Sequence, residues 1–258
     1  MSPSSFLYTK AADVVLTDLQ PAQVVLARVT SPTDEQLEAI LRVMIKGYET
    51  GMYLTSITTC NPSDGVPEPW ANRFPVPQDV KPEQWYRAYH MAWLGPALLE
   101  GQVWTARESA EGEILGVGIW SLPGCTLGST PEQRAFGEAY NALIPPEQAA
   151  AQAEAQKGVV AERKALFPTL WKDTFHLHNL VTVPAARGKG VGGALMEEMI
   201  RQAHEQGAGM SLCTPTESNR RFYQRHGFET IWEREILYTV GEKEPYIVMT
   251  RDVKQPAQ

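Results

Sequence analysis

Leu180-Val-Thr-Val-Pro-Ala-Ala-Arg-Gly-Lys-Gly-Val-Gly-Gly-Ala-Leu195 decides the reading of this chain. Its first residues continue an extended stretch that begins near Asp173 and ends at Val183, its glycines form a turn, and an amphipathic helix to about Gln206 follows at once. Gly188, Gly190, Gly192 and Gly193 leave backbone N–H groups uncovered where a helix also leaves its first amides unpaired. Those amides and the partial positive charge of the helix end both attract an anion, so the turn reads as a phosphate cradle. Glycine matters here because a side chain would hold a ligand away from the amides. A plain strand-to-helix connection gains nothing from four glycines in six positions, which cost chain entropy.

Several ligand classes use this physics. Gly188-Lys-Gly-Val-Gly-Gly193 matches the dinucleotide pattern G-x-G-x-x-G literally. In a dinucleotide fold, however, the strand runs directly into the first glycine near the start of the domain. Here Pro184-Ala-Ala-Arg187 intervenes and the turn comes late in the chain. The nucleoside-triphosphate loop fails as well, because no Lys-Ser/Thr pair follows the last glycine.

Val183-Pro-x-x-Arg187-x-x-Gly190-x-Gly192 resembles the acetyl-CoA motif of the GNAT superfamily of N-acetyltransferases, an R/Q-x-x-G-x-G/A signature after the fourth strand. Thr216-Glu-Ser-Asn219-Arg-Arg-Phe-Tyr223-Gln-Arg-His-Gly227-Phe228 is similar to that superfamily's later motif, N-x-x-F-Y-x-x-x-G-F, on the helix after strand five. The two stand in the right order about 30 residues apart and cover roughly a quarter of the chain.

The resemblance implies an α/β (α+β) GNAT fold, a twisted, mixed but mostly antiparallel sheet splayed after strand four with helices on both faces. It implies one domain over residues 1–258, with a coenzyme-binding core at about 173–230, an enlarged substrate-side insertion at about 51–100 and a helical insertion at about 130–168. The implied reaction moves an acetyl group from acetyl-CoA to a primary amine by direct attack through a tetrahedral intermediate, with no metal. The end Arg220-Arg-Phe-Tyr-Gln-Arg-His-Gly-Phe228, with Pro245-x-x-Val-Met-Thr-Arg251, looks most like small-molecule acetyltransferases of the puromycin-detoxifying kind.

Roles follow from the same resemblance. The amides of Arg187, Gly188, Lys189, Gly190, Val191, Gly192 and Gly193 would hold the pyrophosphate, and Leu180, Val181, Thr182 and Val183 would pair with the pantetheine arm like an extra strand. An amide near Leu180 or Val181 would stabilise the oxyanion of the thioester carbonyl. Asn219 would touch the pantetheine, Phe222 and Arg225 complete the coenzyme set, and Tyr223 would protonate the departing thiolate, whose acid has a pKa of about 8.5.

Direct attack needs a neutral amine, hence a base or a water path. Alternation along a strand puts His176, His178, Leu180 and Thr182 on one side and Phe175, Leu177, Asn179, Val181 and Val183 on the other, unless a bulge shifts the count. His176 or His178 is then the candidate base, against the commoner role of a strand histidine as a structural hydrogen-bonder. Glu229, Glu233 and Glu235 are weaker candidates that read as a solvated face, and Cys213 reads as a small core residue. Trp70, Phe74, Trp85, Tyr86 and Tyr89 are candidates for an acceptor pocket, with core packing the competing reading for those on the helix.

Bulk composition sets the frame. A chain of 258 residues with 43% hydrophobic and 21% charged residues suits a soluble globular enzyme of one large or two small domains. No apolar run approaches the roughly 20 residues of a membrane span. Met1-Ser-Pro-Ser-Ser-Phe-Leu-Tyr-Thr-Lys10 lacks the charge and long apolar core of a secretory signal, so the cytosol is expected and a membrane partner is not. Cys60, Cys125 and Cys213 are odd in number and far apart, which fits neither a disulfide framework nor paired metal ligands. A net charge of −7 argues against nucleic acid and suits a cationic amine acceptor, while Arg187, Lys189, Arg201, Arg220, Arg221 and Arg225 leave the C-terminal third able to take an anion. Oligomeric state is left open, a dimer included.

Elsewhere the reading is coarser. Residues 23–28 predict a first strand, and Ser31-Pro-Thr-Asp34 predicts the cap of a helix whose Leu37, Ile40, Leu41, Met44, Ile45 and Tyr48 share a face. Gly51 to Pro82 is a proline-rich loop over one end of the fold, followed by an aromatic helix from about Pro82 to Glu100. Val103–Ala106 and Ile114–Trp120 predict a hairpin. Residues 130–168 favour helix, with Pro145-Pro146 and Gly158 as breakers. A strand at Met210–Cys213, a helix over Glu217–His226 and strands near Glu229–Leu237 and Pro245–Arg251 close the chain. The rival functions are a catalytically silent acyl-CoA-binding sensor and a dinucleotide-dependent oxidoreductase.

Overall fold

The computed structural model of the protein describes residues 24–49, 77, 79–236 and 244–253. The predicted proline-rich loop, with Trp70 and Phe74, lies almost wholly outside the described residues. Strand β1 (Val25–Val29) leads to helix α1 (Asp34–Glu49). Thr33 caps that helix reciprocally: its hydroxyl accepts from the Gln36 amide at 3.2 Å, and the Gln36 side chain accepts from the Thr33 amide at 3.0 Å. Helix α2 (Pro82–Glu100) starts on a proline, whose missing N–H costs nothing at a first helical position. The hairpin β2 (Gln102–Arg107) and β3 (Ile114–Ser121) follows where alternation placed it.

Helix α3 (Pro131–Asn141) packs on α2 with the Phe136 ring over Gly95, where a Cβ would meet it at 2.2 Å. Helix α4 (Pro146–Leu166) begins where Pro145-Pro146 interrupts the chain, but it runs through Gly158 unbroken. Gly158 is therefore not a breaker. One helical glycine costs about 1 kcal/mol relative to alanine, too little to stop a 21-residue helix rich in Ala, Glu and Gln. A single turn, α5 (Leu170–Asp173), precedes β4 (Phe175–Thr182). Then come α6 (Val191–Glu205), β5 (Met210–Thr214), α7 (Glu217–Arg225), β6 (Glu229–Ile236) and β7 (Glu244–Arg251).

The seven strands form one sheet in the order β1-β2-β3-β4-β5-β7-β6. Every neighbouring pair is antiparallel except β4 and β5, which are parallel and pair only through Phe175↔Met210, His176↔Ser211 and Leu177↔Leu212. From His178 onward the β5-facing edge of β4 has no strand beside it among the described residues, so the sheet opens there, as the resemblance implied. Helix α6 covers one face, with Leu195, Met196 and Met199 against Phe175, Leu177 and Leu180. On the other face, Ile40, Leu41, Met44 and Leu94 of α1 and α2 cover Val103, Val117 and Ile119.

The side assignment along β4 needs correction. Ile119 pairs with Asn179 but Trp120 with Leu177, so His178 is an extra residue, a β-bulge. The bulge shifts the alternation by one. Leu180 joins Phe175 and Leu177 on the α6 face, and Thr182 opens towards the start of α6. His176 and His178 part from them: His178 faces Trp93 of α2 at 5.5 Å, and Val181 packs under Gly47 of α1.

Candidate functional site

The β4–α6 turn is built by three successive local choices. Pro184–Ala186 makes a 3-10 turn, Gly188 and Gly190 take φ of 73° and 81°, and α6 then starts with no side chain capping it. A left-handed backbone at both positions favours glycine, and at both the space where a Cβ would project is open. Arg187 fixes the turn from outside, donating from Nη2 to the Gly47 carbonyl at 2.9 Å in the last turn of α1.

Of the seven amides assigned to the pyrophosphate, two are spent locally. Arg187 N–H donates to the Pro184 carbonyl at 3.2 Å and Lys189 N–H to that of Ala186 at 3.3 Å. Gly188 and Gly190 make no such backbone bond among the described residues, and Val191, Gly192 and Gly193 are the first three helical residues, whose amides a helix leaves unpaired. These five border a hollow of about 210 Å³ that Thr182, Phe222, Arg225 and His226 also line. Sequence reasoning missed His226; its place beside Arg225, just before the Gly227 turn, was the available signal.

Two buried side chains, one lining the hollow and one a helical turn before Phe222, lack partners among the described residues. Thr182 Oγ1 is unpaired on a residue only 2% exposed, and Asn219, fully buried, has neither Oδ1 nor Nδ2 in a hydrogen bond. Leaving such groups unmade costs about 1–3 kcal/mol each, so they mark where a polar ligand would be satisfied. Asn219 is held by the start of α7, where the Thr216 hydroxyl accepts from the Asn219 amide at 3.2 Å. Thr216→Ala is expected to cost about 1 kcal/mol of stability in urea unfolding, the usual value of an N-cap.

The family model described as the acetyltransferase (GNAT) domain matches residues 150–230, which span the cradle, the buried Asn219 and Tyr223. Residues 150–230 thus match a GNAT acetyltransferase domain. In structure it is similar to the polyamine N-acetyltransferase of Drosophila melanogaster, at 16% identity over 88% of this chain and 99% of that one, with a TM-score of 0.50. It also aligns with the histone acetyltransferase HPA2 and related acetyltransferase of Corynebacterium glutamicum, at 18% identity over 90% and 99% of the two chains, with a TM-score of 0.48. No curated protein matches it in sequence.

Tyr223 of the GNAT domain is fully buried between Phe222 and Phe228, at ring distances of 5.2 and 5.9 Å, and does not line the hollow. Burial pushes its phenol far above the ordinary tyrosine value, so it keeps its proton near neutrality.

His176 and His178 lie on the sheet face away from the hollow, their rings 4.8 Å apart and edge to face. A hydrogen-bond chain orients the first. Thr174 donates its only hydroxyl hydrogen to the Leu170 carbonyl at 2.6 Å, so Ser211 must donate to Thr174, also at 2.6 Å. Ser211 can then only accept from His176 Nδ1, 2.9 Å away, which leaves Nε2 as the ring's acceptor. Burial first, then His178 and Arg163, hold His176 well below the usual histidine pKa, and burial lowers His178 to about 4. Both imidazoles are neutral at pH 7.

The remaining candidates separate cleanly. Trp85 is fully buried and meets Tyr140 of α3 at 5.0 Å, as does Tyr89 at 5.2 Å, so these aromatics join α2 to α3 in the core. Glu229, Glu233 and Glu235 are exposed, and Glu233 pairs with Arg220 at 2.7 Å. Burial pushes the Cys213 thiol up to about 11, which keeps it protonated and unreactive. No helix of the described residues is long and apolar enough to cross a membrane.

Proposed function

We propose that this chain is a cytoplasmic, single-domain enzyme that transfers an acetyl group from acetyl-CoA to the primary amine of a small molecule. The observation that carries the proposal is the set of five uncommitted amides around the hollow, together with the unsatisfied Thr182 hydroxyl and Asn219 side-chain carboxamide. Acetyl-CoA bound there supplies an activated acetyl thioester. Amides of Gly188, Gly190, Val191, Gly192 and Gly193 hold the diphosphate. The unpaired edge of β4 from His178 to Thr182 offers backbone groups to an extended arm, much as a sheet edge accepts a strand. An amide near Leu180 or Val181 polarises the acyl carbonyl. Tyr223 gives its proton to the leaving sulfur, and the neutral Nε2 of His176, or His178 beside it, accepts a proton from the amine. The enzyme requires no metal.

Release of free thiol from acetyl-CoA, followed with a panel of polyamines, aminoglycosides and amino nucleosides, tests this reading. Amine-dependent release at least tenfold above hydrolysis is expected for one class. Tight coenzyme binding with no release on any amine would make the chain a sensor and end the enzymatic reading.

A further inference from the structure

We propose that His226 is a coenzyme-binding residue whose imidazole meets the diphosphate at the start of α6 and takes up a proton from solvent as the ligand binds. This rests on the acetyl-CoA reading of the hollow and adds a residue and a pH coupling to it.

The geometry is specific. His226 ends α7 and lines the hollow opposite the glycines. A Cβ built on Gly193 would stand 3.7 Å from its Cε1 and 3.8 Å from its Nε2, so the imidazole edge lies against the first turn of α6. Phe222 packs against the ring at 4.6 Å with the planes tilted by 53°, and the backbone is pinned on both sides, the amide donating to the Tyr223 carbonyl at 2.9 Å and the carbonyl accepting from Arg251 Nη1. Neither ring nitrogen has a hydrogen-bond partner among the described residues. Independently, Thr182 lines the same hollow and its hydroxyl is buried and unpartnered among the described residues, which marks a place for a polar ligand apart from any helix-end effect.

The surroundings keep this ring neutral until an anion arrives. Burial lowers its pKa most, Glu197 on α6 opposes that shift, and Arg225 beside it and Arg251 from β7 lower it further. Arg251 is itself engaged with Asp252 at 3.0 Å, and Arg187, also lining the hollow, is bound to Gly47. A diphosphate adds two negative charges within reach of the ring, which reverses the balance and favours imidazolium. Because the bound state then holds more protons than the free state, affinity rises as pH falls.

Calorimetric titration with dephospho-CoA is the deciding experiment, since that ligand keeps the diphosphate but lacks the phosphate monoester that itself titrates near neutrality. Run near pH 7.5 in buffers of different ionisation enthalpy, it should show uptake approaching one proton per ligand. The wild-type Kd should tighten about tenfold between about pH 8 and pH 6.5. His226→Gln should bind with no proton uptake and a flat pH profile. His226→Arg, permanently charged, should keep the affinity and also lose the uptake, which a purely structural histidine would not do. Equal uptake by wild type and His226→Gln, or none by wild type, overturns the proposal and leaves the coenzyme site standing. Failure of wild type to bind either dephospho-CoA or CoA overturns the coenzyme reading and this inference with it.

Discussion

Gly190→Asp is expected to weaken acetyl-CoA binding by about a hundredfold or more while the fold survives. Gly190 holds φ of 81°, and nothing lies within 4 Å of an added Cβ, so the side chain has room and enters open space at the cradle. The backbone cost is about 1–2 kcal/mol, at the low end for aspartate, which tolerates the left-handed region better than most residues. The carboxylate then stands where the phosphates belong. Two like charges about 4 Å apart at a protein surface repel by roughly 4 kcal/mol, about a thousandfold in affinity. Gly190→Ala separates charge from shape and should lose about tenfold or less. Equilibrium binding with thermal melting checks both: wild-type affinity in the aspartate variant would mean that the phosphates lie elsewhere.

Tyr223→Phe should lower kcat roughly a hundredfold and leave coenzyme Kd within about twofold of wild type. A positioned general acid contributes about 10²–10⁴ to a rate, and the buried Tyr223 phenol holds its proton at every physiological pH. The ring packs between Phe222 and Phe228, and phenylalanine preserves that packing, so the change isolates the hydroxyl. Single-turnover thiol release separates the two effects. Equal losses in binding and turnover would assign Tyr223 to scaffolding instead.

How far the sequence speaks depends on whether the deciding physics is local. The β4–α6 turn was readable because glycine content, a following amphipathic period and the Asn219-to-Phe228 motif are all properties of neighbouring residues. Helix α2 was bounded correctly for the same reason, with Pro82 able to start a helix and Gly101 following its end. The β4 bulge was not readable. It arises from pairing with β3, where Trp120 lies across Gly118, and no alternation within β4 announces it, so the two histidines were grouped with Leu180 and Thr182. Nor could the glycines tell which amides stay uncommitted, because Arg187 and Lys189 spend theirs on the carbonyls of a 3-10 turn. His226 escaped because its importance comes from α6, more than 30 residues away in sequence, and only folding brings Gly193 against its ring.

Strand β7 sits between β5 and β6 although it is the last of the three to be made. During synthesis, β5 and β6 therefore leave the ribosome with no partner for each other, and both wait for Glu244–Arg251. Until those eight residues arrive, two bare strand edges stand exposed, the condition under which nascent chains recruit each other or a chaperone. A premature stop after β6 would thus leave all of the cradle's own residues translated and yet deprive them of the strand that closes the sheet behind α7.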